Sequence, residues 1–160
     1  TVEVDGLNPH SQRKKNAMHI GVVFGQKSQL WWDLPVRESF KLLKEIYEVS
    51  DEDYQKRIDE YDEVLQLSDF WDQPVRKLSL GQKMRCELAA AFLHQPRIVY
   101  LDEPTIGLDV AVKERIRDFI KRMNREKNIT VLLTTHDIGD IEDLCYRIVV
   151  LDDGMTIYDG

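Results

Sequence analysis

Apolar positions along this chain change period repeatedly, and the changes mark its elements. Residues 18–24 (MHIGVVF) are a near-continuous apolar run, as expected of a buried parallel strand. From Pro35, a residue suited to a helix start, Val36, Phe40, Leu43 and Tyr47 recur at helical spacing. Ser50 or Asp51 can cap a second helix, whose apolar stripe is Tyr54, Ile58, Tyr61 and Leu65. A third helix is predicted over about 82–94, ending before Pro96. Residues 98–101 (IVYL) return to the buried-strand pattern. Asp109 can cap a helix reaching about residue 127, with Val112, Ile116, Phe119, Ile120 and Met123 on one face. Residues 129–134 read as a strand, and 137–145 as a short helix with Ile138, Ile141 and Leu144 apolar. A strand over 148–151 turns at Asp153-Gly154 into 155–158. At the front, residues 1–5 alternate like a short strand and 6–9 turn it.

Strands alternating with helices imply an α/β fold with a mostly parallel sheet covered by helices. The block 27–95 interrupts that alternation with helices alone and reads as an inserted helical subdomain. In open parallel sheets ligands bind at the carboxyl ends of the strands. Gln26, Asp102, Glu103 and His136 all fall at such ends.

Composition narrows the class without naming it. A chain of 160 residues, 42% hydrophobic and 32% charged, can bury one core as a soluble domain. A net charge of −7 lacks the basic footprint of a nucleic-acid binder, so no nucleic-acid partner is expected. The basic cluster Arg13-Lys14-Lys15 and the acids crowding 51–63 read as solvated faces. Cys86 and Cys145 lie far apart with no metal-type or CxxC spacing and read as free thiols, a single disulfide being the alternative. No apolar run reaches the roughly 18–20 residues that a membrane-spanning helix needs.

The chemistry concentrates in residues 78–109, LSLGQKMRCELAAAFLHQPRIVYLDEPTIGLD. Asp102 stands at the mouth of a buried strand, a costly place for a carboxylate unless a cation meets it. A magnesium ion bridging phosphates, reached through water, suits it. Glu103, next along and aimed differently, can take a proton from an attacking water or orient it. His136, closing the Thr-Thr-His-Asp segment, can hydrogen-bond a terminal phosphate. Gln26 has both a donor and an acceptor and can touch the metal or its water. Ser79 to Gln82 open a helix whose free N–H groups attract phosphate, and Gly81 permits close approach; Ser79 can equally be a plain helix cap. The helix dipole supplies about 0.3–1 kcal/mol, up to about 2. Millimolar binding already needs about 4 kcal/mol. This turn can therefore be only one face of a nucleotide site.

Taken together, Gln26, LSLGQ, IVYLDEP, IGLD and TTHD resemble, in order, the motifs of ATP-binding cassette (ABC) ATPases over essentially the whole chain. The resemblance implies a P-loop NTPase-type sheet, with residues 1–26 and 96–160 in the α/β core and 27–95 the helical subdomain carrying the signature. It implies ATP and Mg2+ as ligands. Asp102 would be the Walker B metal ligand, with Gln26 of the Q-loop also near the metal; Glu103 would be the catalytic base and His136 the switch histidine. Ser79, Gly81 and Gln82 would form the signature, with Asp109 in the D-loop, facing an ATP held by a second ABC domain paired head to tail. It also implies a transmembrane permease subunit docked on residues 26–35, and so a peripheral place on the cytoplasmic face of the cell membrane. Trp31 and Trp32 belong to that region; either they face the partner or they pack inside the helical subdomain. The wording of the region is similar to prokaryotic export-type members, which points to export. A non-transport ABC ATPase and a non-catalytic fragment that binds through its signature face are the alternatives.

The departures matter as much. Leu80 replaces the first glycine of the usual LSGGQ, and IGLD the commoner SALD, with Ser79, Gly81 and Asp109 kept. No GxxxxGK[ST] phosphate loop occurs, nor the adenine-stacking aromatic expected upstream of it. The expectation is a carboxy-terminal portion of an ABC domain, beginning past its phosphate loop, with apolar sheet surface left uncovered and prone to self-association. Such a chain alone should bind ATP weakly and release no phosphate from it. A pure sample that hydrolyses ATP, and stops doing so on Glu103→Gln, would overturn that expectation.

Overall fold

Strand β1 (Ile20–Phe24) lies beside β2 (Ile98–Asp102), and β2 beside β3 (Thr130–Thr134), in an all-parallel ladder ordered β1-β2-β3. The computed structural model describes residues 2–25 and 27–160. Each strand spans five residues, and the registers place Phe24, Asp102 and Thr134 in one row at the carboxyl ends. Gly21, Val23, Val99 and Leu101 are buried on one face of the sheet. The other face carries Ile20, Val22, Ile98 and Tyr100, only half-buried, and exposed Leu132.

Between β1 and β2 the chain is helical. It forms α2 (Val36–Ile46), α3 (Asp51–Leu65), two short 3-10 turns and α4 (Leu80–Phe92). Ser50 is the α3 cap, its hydroxyl accepting from the Asp53 N–H at 3.1 Å. α5 (Val110–Lys127) begins at Asp109, whose carboxylate accepts from the Val112 N–H at 2.9 Å. The core joins three of these helices through aromatic edges. Phe119 of α5 meets Tyr61 of α3 and Phe92 of α4, each at 5.2 Å and near 90° (89° and 87°). The Tyr61 hydroxyl also donates to the Phe92 carbonyl at 2.9 Å, so its polar end is satisfied inside the core.

α4 lies directly on β1. A Cβ on Gly21 would come within 2.3 Å of the Ala91 carbonyl oxygen. Only glycine on the strand, opposite the Ala89-Ala90-Ala91 step of the helix, allows that approach.

Several expectations need correction. Among the described residues, 2–5 form no strand. The chain turns at Asp5 and Gly6, both at positive φ, and leaves one isolated bridge between Val4 and Leu7. Asp5 ties the turn down with His19 at 3.1 Å and Arg97 at 3.0 Å. The Arg13-Lys14-Lys15 cluster is exposed, as a solvated face should be, yet it opens a helix, α1 (Arg13–His19). That helix takes Met18 and His19, so β1 starts only at Ile20. α4 starts at Leu80 and stops at Phe92, two residues off the expected bounds at each end. In α6 (Ile138–Leu144) the apolar stripe fails at Ile138, which is 70% exposed, while Asp140 is fully buried. The hairpin expected at Asp153-Gly154 does form: β4 (Val149–Asp152) pairs antiparallel with β5 (Met155–Asp159), as a ribbon separate from the three-stranded parallel sheet. Every residue of that ribbon is exposed, including Leu151, Ile157 and Tyr158.

Gly21→Ala should destabilise the fold by about 1–3 kcal/mol, the usual cost of forcing an extra group into a packed contact. Urea unfolding measures it; an unchanged midpoint would mean that β1 and α4 have room between them for a methyl group.

Candidate functional site

The carboxyl ends of β2 and β3 bring two pairs of side chains together. The Thr134 hydroxyl donates to Asp102 Oδ1 at 2.6 Å, across the row that the strand register creates. The Glu103 N–H donates to the Thr134 carbonyl at 3.0 Å, carrying the ladder one step past the strand. Glu103 itself sits at φ +50°, the left-handed region, where a non-glycine residue is uncommon and costs of order 1–3 kcal/mol. The turn breaks strand alternation there and brings Glu103 Oε1 to 2.9 Å from His136 Nδ1. His136 is largely open to solvent and Glu103 about one-third so, leaving both within reach of a ligand.

Behind this pair lies an arrangement that sequence patterning misses. The buried Asp140 carboxylate accepts from Thr105 Oγ1 at 2.5 Å, Thr135 Oγ1 at 3.1 Å and Arg117 Nε at 2.7 Å. It thereby joins the turn after Glu103, the segment before His136, and α5. An aspartate within a short amphipathic stretch looks like surface; only the paired threonines of Pro-Thr and Thr-Thr-His hint at a buried acceptor.

The second device is built from helix caps. Ser79 caps α4: its hydroxyl accepts from the Gln82 N–H at 3.2 Å, and Gln82 Oε1 accepts from the Ser79 N–H at 2.8 Å. This reciprocal capping box holds the Gln82 side chain back on the helix. A Cβ on Gly81 would meet both Val112 methyls at 3.3 Å, so Gly81 lets the amino ends of α4 and α5 touch. Gly107, at φ +71°, makes the turn before Asp109, and Leu80 packs against it: its Cδ2 lies 3.4 Å from where a Cβ on Gly107 would be. The substituted leucine therefore fits its own chain's turn. Ser79 and Asp109 stay exposed. Among the described residues no hydrogen bond or ion pair links this cap cluster to Asp102, Glu103 or His136. Gln26 lies outside the described residues. Trp31 and Trp32 are 38% and 58% exposed, so neither is buried in the helical block. Cys86 and Cys145 are both free thiols.

No group of three or more His, Cys, Asp or Glu side chains forms a metal cage among the described residues. Asp102 with its threonine is a donor set for a hard cation that keeps waters and phosphate oxygens, as magnesium does. No helix among the described residues is long and apolar enough to cross a membrane.

The hydrogen bond that His136 donates to Glu103, and the negative charge of that carboxylate, raise the His136 pKa above its ordinary value. The sign follows: the pair contributes stability below the unfolded-state pKa and loses it as pH rises through the elevated folded one. Glu103→Gln should lower the His136 pKa, read from its ring protons by NMR titration. An unchanged value would show that the two side chains do not meet in solution.

Comparison with known proteins bears on the family and the fold. The family model described as ABC transporter matches residues 1–106. The ABC transporter ATP-binding protein NatA of Bacillus subtilis is 28% identical over 99% of this chain, and the chain spans 64% of that protein. The methionine import ATP-binding protein MetN of Geobacillus kaustophilus is 33% identical over 92% of the chain, which spans 43% of it. Among solved structures, the ATP-binding cassette MJ0796, a dimer in a post-hydrolysis state bound to ADP and Pi, superposes with TM-score 0.81 at 31% identity, covering 98% of this chain and 71% of that one. CbiO1 from Clostridium perfringens, part of the ABC transporter complex cbiONQ, gives TM-score 0.81 at 29% identity, covering 99% of this chain and 64% of that one. With a P-loop NTPase-type parallel sheet and a family match over most of its length, the chain belongs to the ABC transporter family, as an ATP-binding domain.

Proposed function

We propose that these residues serve, in the complete protein, the ATP-hydrolysing subunit of a transporter. The observation that carries the reading is the row Asp102, Thr134 and the adjoining Glu103–His136 contact at the carboxyl ends of parallel strands. Asp102, steadied by Thr134, would help to hold a magnesium ion, which would supply charge neutralisation at the phosphates. Glu103 accepts a proton from the attacking water, or fixes that water in line. His136 holds Glu103 in place and presents its other ring nitrogen to the terminal phosphate. Gln26, two residues past β1 in the sequence, is the further residue assigned to the metal or its water. The exposed Ser79 cap, with Gly81, Gln82 and Asp109, faces an ATP gripped by a second domain. That the relative MJ0796 is a dimer bound to ADP and Pi supports pairing with a second domain.

The exposed Trp31 and Trp32, on a loop of residues 27–35, suit contact with a membrane permease, which would hold the protein at the cytoplasmic face of the membrane. The similarity to NatA and MetN, both transport proteins, favours transport over action on ribosomes or DNA, and the net charge of −7 agrees. On direction, export rests on the wording around Trp31 alone, whereas relatives named for methionine and for sulfate/thiosulfate are importers. Transport itself is therefore the reading, with export a secondary proposal. The chain contains no GxxxxGK[ST] cradle, so hydrolysis is proposed for the protein that supplies one.

In that complete protein, Glu103→Gln should lower kcat by about 10²–10⁴ while the KM for ATP changes little. Steady-state phosphate release measures both. A kcat within a factor of about two of wild type would remove Glu103 from catalysis.

A further inference from the structure

α4 buries a carboxylate that the nucleotide chemistry does not use. Glu87 is 3% exposed, on a helix whose Met84, Cys86, Leu88 and three successive alanines are buried as well. Burying a charge is costly unless it is hydrogen-bonded, so its partners are informative. They all come from the loop that follows β1. The Ser28 hydroxyl donates to Glu87 Oε1. The Gln29 N–H donates to Glu87 Oε2 at 3.2 Å, and Gln29 Nε2 donates to the Glu87 carbonyl at 3.1 Å. Ser28 also accepts from the Leu30 N–H at 3.2 Å, which folds the loop around its own hydroxyl. One helical turn nearer the signature, Lys83 Nζ stands 5.9 Å over the Trp32 ring. Lys83 is the immediate neighbour of Gln82, which closes the capping box on Ser79. The loop thus touches α4 at two successive levels on one face, the upper of them at the edge of the cap.

We propose that Glu87 is a positioning residue: it fastens the 27–32 loop to the signature helix, so that displacement of the loop is carried to the turn at Ser79 and Gln82. The hydrogen bonds to both Glu87 oxygens make the lower attachment, and the Trp32–Lys83 contact makes the upper one. A permease pressing on Trp31 and Trp32 then moves the signature turn as part of the same body, without a separate hinge. This inference rests on the transporter reading for its purpose, but the mechanical claim concerns this chain alone.

Amide hydrogen exchange, followed residue by residue by NMR on the 160-residue chain without nucleotide, tests it. The informative variant is Ser28→Ala, which lies on the loop and leaves Glu87 in place as acceptor for Gln29. The expected result is exchange about tenfold faster at Gln29 and about threefold faster at Ser79 and Gln82, with Leu88 and Tyr61 unchanged. Ser28→Thr, which keeps the hydroxyl, should return all three to within about twofold of wild type. Glu87→Gln should repeat the Ser28→Ala pattern; if it does not fold, the Ser28 pair decides alone. The proposal is overturned if Gln29 exchanges faster while Ser79 and Gln82 do not, if none of the three changes, if core amides accelerate equally, or if Ser28→Thr behaves like Ser28→Ala. None of these outcomes bears on ATP hydrolysis, and loss of the hydrolysis reading would leave them all unchanged.

Discussion

The register of the parallel ladder is the constraint on which the rest of this molecule depends. Pairing Ile20 with Ile98, and Ile98 with Thr130, brings Phe24, Asp102 and Thr134 into one row. From that row follow the Thr134–Asp102 hydrogen bond, the N–H of Glu103 on the Thr134 carbonyl, and the approach of Glu103 to His136. A slip of one residue would send Asp102 to the other face and turn Val99 and Leu101 out of the core. The register is held from one side by α4 and α5. The close contact of Gly21 with Ala91 fixes how deeply α4 sits, and the aromatic trio of Tyr61, Phe92 and Phe119 fixes the helices to one another.

The left-handed turn at Glu103 shows how a fold can spend stability on function. A strand continued through Glu103 would alternate its side chain away from Asp102. The strained turn instead presents two adjacent acids to two different partners, a threonine and a histidine. Asp140 reinforces the arrangement from behind, since Thr105 and Thr135 both donate to it on either side of the pair. If the molecule works as a transporter ATPase, α4 connects a second nucleotide to the loop beside the Trp pair: its cap at Ser79 is exposed, and its middle is fastened to that loop.

Much of this was legible in the amino-acid order, for identifiable reasons. The buried parallel strands announced themselves as apolar runs, and α5 by its Asp109 cap and its stripe from Ile116 to Met123. Asp102, Glu103 and His136 stood out because a polar group closing a buried apolar run sits where parallel sheets bind their ligands. What escaped was set by contacts distant in sequence. Helix α1 carries no apolar period, so nothing separated it from the strand that follows. The β4–β5 hairpin was legible from its Asp153-Gly154 turn, but pattern alone did not say that it would stand apart from the parallel sheet. Asp140 and Glu87 sit in helices where an acid normally faces water, and their burial depends on hydroxyl donors from remote segments. At Gly81 the missing side chain serves the contact with Val112, a packing role that no local pattern shows.

Strand register, on this view, makes Glu103 and His136 act as one unit. A double-mutant cycle of ATP turnover in the complete protein, with Glu103→Gln, His136→Ala and the pair, is the sharpest check. A single unit requires strong non-additivity, with the double variant no slower than the slower single variant within about threefold. If the two losses multiply, the residues act independently, and the contact between them has no catalytic meaning.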